Sequence, residues 1–120
     1  MRSSRRSIDE AIGTGPIHVP AHFDAEVYVA IRRQLLRGLV DLNAATIALF
    51  DLRRLRAERH LVGDLITEAL AARDRFGGYD VFYVVLAKRL GAAFVTADEP
   101  LALAAASYGI DVRYVTRSSL

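Results

Sequence analysis

Residues 79–100 read YDVFYVVLAKRLGAAFVTADEP, and this stretch decides the fold. Residues 79–90 are apolar on almost every side, which predicts a helix buried inside the domain. Gly91 can end that helix, because glycine readily adopts the left-handed conformation of a C-cap. Residues 93–96 predict a strand, and Pro100 suits the first turn of a helix that follows it. A helix, a strand and a second helix in close succession are typical of an α/β domain.

The segments on either side continue this alternation. Strands separated by helices require crossover connections, so the sequence predicts a three-layer α/β fold, with a mostly parallel sheet flanked by helices. The predicted strands cover residues 16–20, 59–62, 93–96 and 111–115. The other predicted helices cover residues 23–37, 43–55 with Asn43 as N-cap, 65–76 with Asp64 as N-cap, and 101–108 before Gly109.

Length and composition fit one cytoplasmic domain. The chain has 120 residues, 52% of them hydrophobic, and no apolar run reaches the roughly 18 residues that a membrane span needs. It has no cysteine, which removes disulfides and thiolate metal sites and suits a reducing compartment. The net charge is +2, with Lys88 the single lysine among the cations. An arginine-rich surface permits binding to nucleic acid, but a codon preference for arginine explains it equally well.

Two aspartates lie where an open parallel sheet binds ligands. Asp98 comes at the carboxyl end of the strand at residues 93–96, the edge where ligands of such sheets bind. It could equally be a helix N-cap before Pro100. Asp80 is the only charged residue from Tyr79 to Leu86, and a buried, unpaired carboxylate is costly. Either the helix dipole or a bound cation must compensate it.

A third acid is less well determined by its position. Glu26 flanks the apolar stripe of the helix that begins at Phe23, and Asp24 lies two residues before it. Either carboxylate could simply favour the amino terminus of that helix. Spacing alone does not choose between Asp24 and Glu26.

Several of these segments together resemble the PIN-domain ribonucleases of the VapC toxin type. The resemblance runs from about residue 17 to residue 115, so that residues 1–120 form a single PIN-like domain. Its carboxy-terminal motifs are YDVFYVVLA at 79–87, LGA at 90–92, FVTAD at 94–98 and LA at 101–102. Its upstream motifs are VP at 19–20 and DAEV at 24–27.

The resemblance implies a function and a set of site residues. Proteins of this family hydrolyse single-stranded RNA with Mg²⁺ or Mn²⁺ held by converging carboxylates, and oxygen ligands are those that such hard cations prefer. Carried over residue by residue, Glu26, Asp80 and Asp98 are the catalytic, metal-binding acids, and Thr96 is a supporting hydroxyl. A VapB-type antitoxin that neutralises the enzyme and a homodimer are implied in the same way.

The chain departs from the family pattern at its beginning. The family opens with an apolar strand that ends in an aspartate, and this sequence has no counterpart of either. Residues 7–12 match the end of the helix that should follow, and Asp9 within it is not the missing ligand. We expect Met1 to lie inside a longer protein rather than to begin a decayed copy. The alternative function is a catalytically inactive, truncated remnant that only binds an antitoxin.

Other classes of site fit the sequence less well. A nucleotide-binding domain needs a glycine-rich loop between a strand and a helix, whereas Gly13 and Gly15 precede a strand. His18 and His22 are four residues apart, but Pro20 between them argues against a shared helix face that could bind zinc. There is no G-x-S-x-G nucleophile motif.

Overall fold

The computed structural model describes residues 8–13 and 15–115. Within these ranges the strands are β1 (Ile17–Pro20), β2 (Ala57–His60), β3 (Phe94–Thr96) and β4 (Val112–Tyr114). The α-helices of the described residues are α1 (Ile8–Ile12), α2 (Phe23–Leu36), α3 (Leu42–Arg54), α4 (Ile66–Ala71), α5 (Asp80–Leu90) and α6 (Glu99–Ser107). A 3₁₀ helix (Val62–Leu65) leads directly into α4.

The strands pair in parallel, which confirms the predicted α/β class. β1 pairs with β2, with Ile17 opposite Ala57, and β3 pairs with β4, with Phe94 opposite Val112. The single sheet expected from the sequence is not found among the described strands, which form two separate two-stranded sheets. No described strand forms hydrogen bonds with both β1 and β3, so the two pairs stay apart.

An apolar cavity of about 620 Å³ has walls from both sheets. β1 contributes Ile17 and Val19, and β3 contributes Phe94 and Val95. Side chains of α5, among them Leu86, form another wall. The cavity therefore lies where a continuous sheet would have its middle.

The predicted burial of α5 is confirmed. Its Val84 and Val85 are 0% and 2% exposed, and they belong to one cluster with Leu65, Phe76 and Ala105. Glycine ends the helix as predicted, since Gly91 has φ +63° and its amide donates to the carbonyl of Lys88. The hydrophobic core of the domain is thus built around a single helix.

Two predicted N-caps are wrong. Asp41, not Asn43, caps α3, because its extended backbone lets Oδ1 accept from the amide of Ala44 at 2.7 Å. Asp64 lies inside the 3₁₀ helix, where its own amide already donates to the carbonyl of Leu61 at 3.1 Å. The helix predicted from residue 65 to 76 therefore begins as a 3₁₀ turn and ends at Ala71.

The first half of the chain is less buried than its apolar pattern suggests. β2 begins two residues before the predicted strand, and Val62 already belongs to the 3₁₀ helix. α2 follows the predicted stripe, but none of its residues is fully buried, and Ala30 is exposed. None of the helices in the described ranges has the length and apolar character that crossing a bilayer requires.

Replacing Gly91 by Ala should destabilise the domain by about 1 kcal/mol, because a side chain strains the left-handed backbone. No atom lies within 4 Å of the added methyl group, so the cost comes from the backbone rather than from a clash. Gly77→Ala is the matched control, since Gly77 has the same open surroundings without the positive φ. Urea unfolding of both variants checks this, and equal midpoints would contradict it.

Candidate active site

Three elements bring the predicted acids into one region. Glu26 lies in the first turn of α2, Asp80 is the first residue of α5, and Asp98 follows β3 as the N-cap of α6. Partial desolvation, together with the charges of Asp98 and Glu26, raises the pKa of Asp80 above its usual value. The charges of Asp98 and Glu26 therefore both act on Asp80, although the three segments are far apart in sequence.

The acids are close but do not converge tightly. Within residues 8–13 and 15–115, the only three donor side chains whose ligand atoms all lie within 4.8 Å of one another are His18, Glu58 and His60. The burial expected for Asp80 is also not found, because its side chain is exposed at the helix terminus. The carboxylates of Glu26 and Asp98 thus influence Asp80, but the oxygen atoms of the three residues are not all within 4.8 Å of one another.

Glu26 is held by a tyrosine from the core helix. The hydroxyl of Tyr83 donates to Glu26 Oε1 at 2.5 Å, which links α5 to α2. Burial first, and then this hydrogen bond to a carboxylate, raise the pKa of Tyr83 well above its usual value. Tyr83 stays protonated at neutral pH and so remains a donor. The hydrogen bond gives Tyr83 a role beyond packing in the buried helix.

Asp98 has the capping role that the sequence allowed, and its role as a metal-binding acid stays a prediction. Its Oδ1 accepts from the amide of Leu101 at 3.0 Å, so it caps α6. Its backbone amide donates to Oγ1 of Thr96 at 3.1 Å, which fixes the turn that follows β3. Capping uses one carboxylate oxygen and leaves Oδ2 available for a ligand. Thr96 thereby supports the acid, as the resemblance implied, though a role in the site is still a prediction.

The structure separates the two acids that spacing could not distinguish. Asp24 accepts two hydrogen bonds of 2.8 Å from Arg59 of β2. This bidentate pair lowers the pKa of Asp24. Asp24 is therefore occupied in fastening α2 to β2, whereas Glu26 interacts with Asp80.

His22 is a member of this region that sequence reasoning missed. Its ring lies against Tyr79, Phe82 and Tyr83, with centroid distances of 5.2, 5.7 and 5.3 Å. Nε2 is 3.3 Å from Glu26 Oε1, but neither ring nitrogen has a hydrogen bond of good geometry. The i, i+4 spacing of His22 and Glu26 was the available signal.

The donor set fits a hard divalent cation. Carboxylate oxygens are its preferred ligands, and a cation between the acids would offset the repulsion that raises the pKa of Asp80.

Comparison with known proteins supports a specific family. A family profile described as PIN domain matches residues 2–106, whereas the resemblance was predicted for about 17–115. Ribonuclease VapC3 of Mycobacterium tuberculosis (strain ATCC 25618 / H37Rv) is 39% identical over 88 residues, which are 73% of this chain and 64% of that protein. Ribonuclease VapC12 of the same strain is 33% identical over 86 residues, 72% of this chain and 67% of that protein. Ribonuclease VapC9, also of this strain, is 34% identical over 89 residues, which are 74% of this chain and 70% of that protein. The chain thus spans 64% of the length of VapC3.

Asp80→Asn should stabilise the metal-free protein at neutral pH. A raised pKa in the folded state means that ionised Asp80 opposes folding above that pKa. Because the group is exposed, the gain should be at most about 0.5 kcal/mol, and it should vanish near pH ~3, where the native aspartate is protonated.

Thermal unfolding in a chelating buffer at both pH values measures this effect. Asp74→Asn is the control, an exposed aspartate in the turns before α5. A lower midpoint for Asp80→Asn at neutral pH would show that the carboxylate contributes favourable contacts.

Proposed function

This chain belongs to the PIN-domain family, and we propose that it is a Mg²⁺- or Mn²⁺-dependent ribonuclease toxin that cleaves single-stranded regions of RNA. The observation that carries the proposal is the placement of Glu26, Asp80 and Asp98 at the starts of three helices, where the charges of Glu26 and Asp98 act on Asp80. A cation bound between clustered acids offsets their repulsion. The names of three relatives, all ribonucleases, supply the reaction class.

Glu26, Asp80 and Asp98 would hold the cation. When bound, such a cation supplies positive charge to a phosphodiester and makes a water molecule more acidic. The chain's own contribution is to hold the oxygens in place. Tyr83 orients Glu26 through its hydroxyl, and the cap at the start of α6 orients Asp98.

A VapB-type antitoxin fits the surface of α2 and α3, and we include it in the proposal. These helices pack against each other and leave large apolar side chains in solvent. Those on the two helices and the connecting loop are Tyr28, Val29, Leu36, Leu39, Leu42, Ile47 and Phe50, each at least 48% exposed. An amphipathic antitoxin segment would bury such side chains. A homodimer would be a second way to cover this apolar surface. Light scattering of the purified chain shows whether it is a monomer or a dimer.

The second candidate is an inactive protein that only binds the antitoxin. The wide spacing of the acids favours this candidate. The ligand atoms of His18, Glu58 and His60 all lie within 4.8 Å of one another, whereas those of Glu26, Asp80 and Asp98 do not. Antitoxin binding needs only α2 and α3, so it can persist without cleavage.

The purified chain should cleave a fluorescently labelled single-stranded RNA when Mg²⁺ or Mn²⁺ is added, and EDTA should stop the reaction. Asp98→Asn should reduce the rate by more than about 100-fold, because a metal ligand is worth several kcal/mol in the transition state. Asp74→Asn, which changes an exposed acid outside the cluster, should cleave like the parent. If a folded chain that binds Mg²⁺ does not cleave, the inactive alternative is correct.

Tyr83→Phe should slow cleavage by about 10- to 100-fold, the usual cost of losing a group that orients a ligand. Only one hydroxyl is removed, so packing of the ring in the core is kept. The substitution should lower the cleavage rate more at limiting Mg²⁺ than at saturating Mg²⁺, because a Glu26 side chain without its hydrogen bond binds the cation more weakly. An unchanged rate at limiting Mg²⁺ would mean that the hydrogen bond has no part in the site.

A further inference from the structure

A second group of metal-binding side chains lies on β1 and β2, outside the carboxylate cluster. His18 comes from β1, and Glu58 and His60 come from β2. His18 Nδ1 lies 3.0 Å from His60 Nε2 and 3.5 Å from Glu58 Oε2. One ligand atom from each residue lies within 4.8 Å of the other two. No side chain of this group belongs to the set formed by Glu26, Asp80 and Asp98.

The strand pairing explains why these side chains meet. Glu58 and His60 are two residues apart on a strand, so they project from the same face. The register places His18 directly opposite Glu58. Backbone hydrogen bonds between parallel strands hold the three side chains in this relation before any ligand arrives, so little ordering cost remains for binding.

The spacing suits a tetrahedral ion. Zn²⁺ binds imidazole nitrogen and carboxylate oxygen at about 2.0 to 2.2 Å, so two ligands on a tetrahedral ion lie roughly 3.4 Å apart. The observed separations of 3.0 and 3.5 Å lie on either side of that value. Two imidazoles with one carboxylate select Zn²⁺ and similar transition ions, whereas Mg²⁺ prefers oxygen ligands alone.

Solvent can reach the group. The side chain of His18 is 22% exposed and that of Glu58 is 67% exposed. A water molecule can therefore complete the coordination of an ion with three protein ligands. His18 also lines the cavity between the two sheets, so an ion there would fasten β1 beside that cavity.

We propose that His18, Glu58 and His60 form a binding site for Zn²⁺ or a related first-row transition ion, separate from the carboxylate site. Binding joins β1 to β2 through side chains as well as through the backbone. Since an ion that binds only the folded state stabilises it, added Zn²⁺ raises the unfolding temperature of the chain.

The three histidines of the chain make a direct test possible, because each imidazole can be followed separately. The ¹⁵N-labelled chain is titrated with Zn²⁺ in excess Mg²⁺, and long-range ¹H–¹⁵N spectra report the ring nitrogens. The expected result is saturation at one Zn²⁺ per chain, with large shifts for His18 and His60 and little change for His22. Shifts confined to His22, or no saturable binding, would overturn the proposal.

Variants then assign the ligands by calorimetric titration with Zn²⁺. Glu58→Gln and His60→Ala should each weaken Zn²⁺ binding by more than about 100-fold. This loss exceeds the usual effect of removing a residue that only hydrogen-bonds a metal ligand. Asp98→Asn, which removes a carboxylate from the other site, should bind Zn²⁺ like the parent. Circular dichroism of each variant confirms that it is folded.

The opposite pattern of affinities overturns the site. If Asp98→Asn abolishes Zn²⁺ binding, or if folded Glu58→Gln and His60→Ala bind like the parent, the ion belongs elsewhere. None of these measurements uses RNA, so a failure here is distinct from a failure of the proposed ribonuclease activity. Co²⁺ as a coloured substitute reports the coordination number of the same site through its visible absorption.

Discussion

The burial of α5 is the constraint on which the rest of the structure depends. Its valines and Leu86 cluster with residues of the 3₁₀ helix, α4 and α6, and Leu86 also lines the cavity between the two sheets. A helix so deeply buried has a fixed position, and that fixes Asp80 at its first residue. The same helix carries Tyr83, whose hydroxyl reaches Glu26 on α2. One packing requirement therefore positions two of the groups in the candidate site.

Electrostatic repulsion limits how closely the acids can approach in the absence of a ligand. Partial desolvation, and after it the charges of Asp98 and Glu26, raise the pKa of Asp80. The chain relieves part of the strain with neutral donors, since Tyr83 and the amide of Leu101 each donate to one carboxylate. By contrast, Asp24 has a full positive partner in Arg59 and lies outside the cluster. An acid that is paired with an arginine, such as Asp24, has its charge neutralised within the protein. An acid that accepts a single hydrogen bond from a neutral donor keeps its charge for a cation.

The two halves of the fold differ in how completely they are packed. The half built on α5 and α6 has a continuous core, while α2 and α3 leave large apolar side chains in solvent. The cavity between β1 and β3 lies at the junction of these halves. Both features concern the same part of the chain and explain why patterns of apolar residues overestimated burial there. Glu26 lies on α2, one of the exposed helices, whereas Asp80 and Asp98 lie on other elements, so substitutions of Asp98 test cleavage without changing α2 or α3.

The sequence by itself determined the buried helix, the glycine that ends it, the parallel strands and the position of Asp98 at the carboxyl end of β3. These features follow from local periodicity and turn chemistry. The sequence misplaced the caps at Asn43 and Asp64, since capping depends on the backbone angles of a few residues. Only the tertiary structure decided that Asp24 pairs with Arg59 while Glu26 faces Asp80, and that His18 meets His60 across 42 residues of chain. Such contacts depend on strand register and on the packing of distant segments, and neither is encoded in the spacing of residues along one segment.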